Sequence, residues 1–195
     1  AEVAPAVGKR DRAARACGIG KPIIADISID LQHAIEPDEQ CARVLAAARG
    51  SRVVAFAGRH PKLTAAWRAR LDRELDAGGV DAGRVVVLPQ VDHDDYLRIN
   101  LACDAMLDSV RWSGGNTSLD AIACGLPIAT CPGTFMRGRQ SAGMLELIGA
   151  ADLIAADEDA LVANAVRLAE DASWRAELSA RMRDGRSIST CCHRE

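Results

Sequence analysis

The chain has 195 residues, 49% of them hydrophobic, with 24 Lys and Arg against 27 Asp and Glu and a net charge of −3. That length holds one α/β domain with a full core. The near balance of charge excludes a general attraction to nucleic acid or to an anionic membrane, so any anion must be bound by local geometry.

No apolar run approaches the thickness of a bilayer, and the Ala-rich start lacks both a basic region and a continuous apolar stretch, which predicts a cytoplasmic protein with no membrane partner. The seven cysteines (Cys17, Cys41, Cys103, Cys124, Cys131, Cys191 and Cys192) are odd in number, scattered, and mostly set in apolar segments. They read as small core residues and not as a disulfide framework. The chain opens on Ala1 and closes on Cys191, Cys192, His193, Arg194 and Glu195 without a periodic pattern, which predicts a piece of something larger. Residues 1–8 read as a linker remnant, 9–186 as the domain, and 187–195 as an irregular tail.

Along the chain, short Ile- and Val-rich segments alternate with amphipathic ones, the signature of βαβ units and a mainly parallel, doubly wound α/β sheet. A strand over 22–29 (PIIADISI) leads to a helix over 38–48; a strand over 52–57 (RVVAFA) leads to a helix over 63–77. In the latter, Leu63, Trp67, Leu71 and Leu75 recur every four residues, which predicts one stripe laid on the sheet. Strands over 84–88, 104–107 and 127–131 follow, each bounded by Gly, Pro or Asp, with helices over 93–101, 117–123 and 139–148 between and after them. Two terminal helices are expected over 157–168 and 173–183, the second capped by Ser173.

In such a sheet, ligands bind in the crevice at the carboxyl ends of the strands, where the strand order reverses. The loop SGGNTSLDAIACGLP (113–127) is the richest there. Gly114 and Gly115 let a ligand approach the backbone, and Asn116 or Thr117 would cap the following helix, leaving first-turn N–H groups and a positive dipole end for a diphosphate. Thr117 and Ser118 add hydroxyl donors. Asp120 lies one turn further in, about 5 Å along the axis, where a carboxylate can accept both hydroxyls of a ribose. A plain strand-to-helix turn with an ordinary cap fits this motif equally well; neither a Walker loop nor a GxGxxG fingerprint is present.

The loop LPQVDHDDY (88–96) offers main-chain groups of Gln90 and Val91 to the edge of a base, and the ring of Tyr96, the single tyrosine, to its face. Asp92 doubles as a helix cap. The run His93, Asp94, Asp95 is not expected to hold a metal, because consecutive residues at a helix start point in different directions. In CPGTFMRGRQS (131–141), Arg137 or Arg139 can reach a phosphate or a sugar hydroxyl; Arg137 reads better as a solvated loop arginine.

Taken together, DAMLDSVRWSGGNTSLDAIACGLPIATCPG (104–133) and its continuation FMRGRQSAGMLELIGAADLIAAD resemble the C-terminal catalytic region of O-GlcNAc-transferase and SPINDLY-like glycosyltransferases. That resemblance implies the Rossmann-like C-terminal lobe of a GT-B enzyme, a UDP-sugar or GDP-sugar donor, no cofactor and no metal. It further implies inverting transfer, with GlcNAc as the sugar, to Ser or Thr of a protein acceptor held by an N-terminal lobe and helical repeats. By position it matches Thr117 to a diphosphate-binding threonine, Asp120 to a ribose-binding aspartate, Val91 to a main-chain reader of the base, and Tyr96 to a histidine packed against it. Arg139 matches an arginine of the loop after the nucleotide helix, while Gly115 and Asn116 stand where the eukaryotic enzymes have His and Thr. Two departures are Ala34, where the family carries a lysine against the leaving diphosphate, and Leu31, at a usual glutamine. They leave open a catalytically degenerate module that binds other proteins. A nicotinamide-dependent oxidoreductase or sugar-nucleotide epimerase on the same sheet is disfavoured by the missing glycine fingerprint.

Overall fold

The computed structural model describes residues 21–25 and 38–189. Five strands, β1 (Lys21–Ala25), β2 (Ser51–Phe56), β3 (Val85–Leu88), β4 (Ala105–Leu107) and β5 (Ile128–Ala129), form one sheet in the order β3-β2-β1-β4-β5, every neighbouring pair parallel. Both faces are covered, which is why Val53, Val54, Ala105, Met106, Leu107 and Ile128 form an unbroken apolar layer instead of alternating with polar residues.

The helices are α1 (Asp38–Ala47), α2 (Pro61–Ala77), α3 (His93–Ala102), α4 (Asn116–Cys124), α5 (Gln140–Leu147), α6 (Glu158–Glu170) and α7 (Ala172–Ser189). α1 packs on α2 and α6, whereas α4 packs on α3 and α7, giving a layer on each side of the sheet. The expected stripe of α2 is present: Trp67, Leu71 and Leu75 are buried and Leu63 is half-buried. Arg84 closes the far end of the sheet by donating to the carbonyls of Leu45 (2.8 Å), Ala48 (2.6 Å) and Ser51 (2.9 Å), the acceptors left over where α1 stops. Gly125 ends α4 in the left-handed region at φ 67°, donating to Ile122 while Leu126 donates to Ala121.

Several boundaries differ from expectation. The helix expected from Ser173 starts at Ala172 and is capped by Asp171, which accepts from the Trp174 amide at 2.9 Å. It runs to Ser189, so 187–189 are helical and not part of an irregular tail. β5 is only two residues long, since the Thr130 amide and carbonyl leave it to bond Leu153 and Ala155. Residues 26–29 of the first expected strand, with Leu31, Ala34, Cys17, Cys191, Cys192 and the linker remnant, lie outside the described residues.

Candidate functional site

The order of strands reverses between β1 and β4: the chain steps outward through β2 and β3, then returns to add β4 and β5 on the other side. Ala25 and Leu107 are register partners at the carboxyl ends of these two strands. The crevice of a doubly wound sheet opens there.

Asp108 is the first residue past β4 and is almost wholly buried. Its carboxylate accepts from the Gly114 amide (2.9 Å), the Ser113 hydroxyl (2.7 Å) and the Thr130 hydroxyl (2.7 Å). Burial pushes this carboxyl above its ordinary value, opposed by the bonds from Gly114, Thr130 and Ser113. Ser113 Oγ lies 2.7 Å from Ser141 Oγ, which lies 2.7 Å from Ser118 Oγ. Each hydroxyl has one proton, and the one on Ser113 is engaged by the carboxylate. With that proton directed at Asp108, Ser113 Oγ accepts from its other neighbours, while the Ser141 hydroxyl also lies 3.4 Å from the Gly114 carbonyl. The Ser141 amide adds a bond to Ser113 Oγ at 2.9 Å. This network fastens the turn at Gly114 to both the β4 end and the start of α5.

On that base stands the first turn of α4. Neither Asn116 nor Thr117 caps it. The N-cap is Gly115, which has no side chain to offer, so no side-chain cap bond closes the leading amides among the described residues. A Cβ on Gly115 would stand 3.0 Å from Gln140 Oε1, the tip of a side chain reaching over from α5. Thr117 is half-buried at this turn and Asn116 is exposed. The Ser118 hydroxyl is buried in the serine network instead of facing the crevice, and the residue as a whole is fully buried. Asp120, one turn on, is partly exposed, and its Oδ2 meets His93 Nε2 at 3.1 Å.

The loop after β3 brings its residues to the same edge. Asp92 caps α3 by accepting from the Asp95 amide at 2.9 Å. Gln90 is exposed and Val91 half-buried beside it. The Tyr96 ring packs on Phe56, at the end of β2, with centroids 5.4 Å apart, so the ring expected to face a base is already held on one side. His93 is turned to Asp120 and not to its neighbouring carboxylates.

Arg139 is exposed at the start of α5, where its Nη1 donates to the Gly133 carbonyl at 3.2 Å and steadies the loop after β5. Arg137, expected to be a free loop cation, lies over two rings: its Cζ is 4.7 Å from the Phe135 centroid and 5.8 Å from that of Trp112. These side chains line an open pocket of about 460 Å³ between the loops after β4 and β5. Sequence alone singled out neither this pocket nor the hub at Asp108. The hub had one visible signal, an acid placed directly after a buried strand, while Ser141 and His93 had none.

The geometry agrees with what the chain is similar to. The glycosyl transferase family 41 model matches residues 52–194. A probable UDP-N-acetylglucosamine–peptide N-acetylglucosaminyltransferase SPINDLY from Solanum lycopersicum is 28% identical over 153 residues, covering 77% of this chain and 16% of that protein. The corresponding Caenorhabditis elegans UDP-N-acetylglucosamine–peptide N-acetylglucosaminyltransferase is 29% identical over 112 residues, covering 57% of this chain and 10% of its own length. The chain thus spans about a sixth or less of these relatives. Among solved structures, a variant of the Thermobaculum terrenum O-GlcNAc transferase superposes with a TM-score of 0.76 at 26% identity, over 87% of this chain and 32% of that one. WaaG, a glycosyltransferase of lipopolysaccharide biosynthesis, shares the fold with a TM-score of 0.70 at 14% identity, over 90% and 46%.

Proposed function

Because this chain belongs to glycosyl transferase family 41 and folds as a Rossmann-like lobe of the GT-B type, we propose that it is the donor-binding lobe of a cytoplasmic, inverting protein O-glycosyltransferase. It holds UDP-GlcNAc for transfer to Ser or Thr of a polypeptide. An N-terminal lobe that carries the acceptor completes the enzyme.

The observation that carries this proposal is the first turn of α4, which has Gly115 as its N-cap with no side-chain cap bond, and Thr117 and Asp120 one turn apart on the helix. Open amides and the positive end of the helix dipole favour a diphosphate. Asp120, with one oxygen on His93, keeps the other for a ribose hydroxyl. Gln90, Val91 and Tyr96 face the base from the neighbouring loop in this proposal, Arg139 stands by the sugar, and no metal is needed.

In the transfer, the acceptor oxygen bonds to the sugar anomeric carbon as the bond from that carbon to the β-phosphate oxygen breaks, and the acceptor proton passes to a base outside the described residues. Negative charge grows on the departing UDP. Fixed amides placed where that charge develops stabilise it without having to reorganise. The Asp108 hub serves this purpose by holding Gly114, and hence the turn, in place.

Calorimetric titration with UDP, GDP and NAD tests the proposal. UDP is expected to bind and NAD to give no heat, with affinity for UDP reduced in Thr117→Ala and Asp120→Ala. Tight NAD binding, or UDP binding indifferent to both substitutions, would overturn it.

A further inference from the structure

The pocket beside the donor turn is built from two loops that are tied together at the back. The Ser113 amide donates to the Arg137 carbonyl at 2.8 Å and the Gly133 amide to the Gly138 carbonyl at 2.8 Å. Both glycines press on the Val110 carbonyl so closely that a Cβ would come within 2.7 Å at Gly133 and 2.8 Å at Gly138. The walls are therefore fixed by backbone packing, whether or not a ligand is present.

What the walls present is unusual for a solvent-facing loop. Trp112 and Phe135 are 43% and 63% exposed, two large apolar rings at one place. Arg137 lies across the two rings. A guanidinium stacked in this way keeps its in-plane N–H fork for an oxyanion. Among the described residues, the lining contains a second arginine, Arg111, and no carboxylate.

The size of the pocket, about 460 Å³, is far more than one phosphate needs and suits a side chain with the backbone that carries it. Its position matters equally. Trp112 precedes Gly114 by two residues, so the pocket adjoins the turn that leads into α4.

We infer that this pocket docks an acidic stretch of the acceptor polypeptide, with a carboxylate forked onto Arg137 and its aliphatic stem lying against Trp112 and Phe135. The inference rests on the donor-lobe proposal, which puts the donor at the neighbouring turn and makes a polypeptide the acceptor. Charge complementarity selects the occupant: a basic or neutral segment leaves the stacked guanidinium unpaired, whereas Asp or Glu gives the bidentate geometry that an arginine fork matches.

The test uses the whole chain and three short synthetic peptides that differ only in the residues flanking a central Ser: Asp and Glu, Asn and Gln, or Lys. Binding is followed by tryptophan fluorescence, with UDP affinity measured separately by calorimetry. The acidic peptide is expected to bind about tenfold more tightly than the neutral one, a difference of about 1.4 kcal/mol. Arg137→Gln should abolish that preference without moving UDP affinity, and Arg137→Lys, which keeps charge but not the fork, should restore only part of it. Equal binding of the three peptides would overturn the inference, as would a preference that survives Arg137→Gln, or a loss of UDP affinity in that variant, which would give the pocket to the donor. Inorganic phosphate competing as well as the acidic peptide would also overturn it. The UDP titration of the unaltered chain reports on the donor-lobe proposal alone, so the two failures are told apart.

Discussion

His93 Nε2 and Asp120 Oδ2 stand 3.1 Å apart, although the residues are separated by 27 positions in sequence. The contact joins the first residue of α3 to the second turn of α4. It thereby couples the loop after β3 to the helix whose first turn is proposed to hold the diphosphate. His93 is 66% exposed and Asp120 only 24%, so the carboxylate is the better-held member and the histidine the adjustable one.

Asp120→Ala is accordingly expected to lower UDP affinity about 10- to 100-fold, the 1.5–3 kcal/mol of a hydrogen bond to a charged group. His93→Ala should cost less than half of that in free energy. Calorimetry on the two variants checks the order; a larger effect from His93 would mean that the histidine, not the carboxylate, meets the nucleotide.

Glycine substitutions should separate binding from folding. Gly115→Ala meets only the movable tip of Gln140, so its melting temperature should stay near that of the parent, while a methyl group at the head of α4 weakens UDP binding. Gly133→Ala drives a Cβ into the Val110 carbonyl, which is backbone and cannot step aside. A destabilisation of about 1–3 kcal/mol in urea is expected there. If Gly115→Ala left UDP affinity unchanged, the open first turn would not be the anion site.

Arg84 offers a check on the fold away from the site. Replacing it with Met leaves the carbonyls of Leu45, Ala48 and Ser51 without their shared donor. A loss of about 2–4 kcal/mol in urea denaturation should follow, with donor affinity at the intact site unchanged.

The dependence of stability on pH follows from Asp108. Burial raises its carboxyl above the ordinary value of 3.8, so folding takes up a proton on this group between its unfolded and folded values. Its stabilising contribution is present in full below the unfolded value and is lost as pH rises through the folded one. Asp108→Asn cannot take up that proton. Whatever constant penalty the amide carries, the advantage of the parent over the variant should shrink as pH is raised from about 4 to about 7. Urea curves at several pH values measure it, and an advantage that grew with pH would show that the bonds from Gly114, Thr130 and Ser113 outweigh burial.

Much of the scaffold was legible in the sequence because it is written in local periodicity. The run VVVL and the four-residue recurrence of Leu63, Trp67, Leu71 and Leu75 each specify an element by themselves. The Gly-Gly turn before Asn116 likewise marks the start of α4, and the spacing of Thr117 and Asp120 puts them one turn apart on it. Which side chain turns inward was less legible. Ser118 has the same chemistry as Thr117 and adjoins it, yet it is buried against Ser141, because a helical step of one residue swings the side chain far round the axis.

The sequence by itself determined that alternating strands and helices would form a doubly wound sheet with a glycine-led helix at one strand end, since those features depend on neighbours a few positions away. Only the tertiary structure decided that Asp108, Ser113, Thr130 and Ser141 share one hub, that His93 reaches Asp120, and that Arg137 lies across Trp112 and Phe135. These partners come from loops after different strands, brought to one edge by the sheet order. Contacts of that kind are set by packing across long loops and leave no periodic trace in the chain.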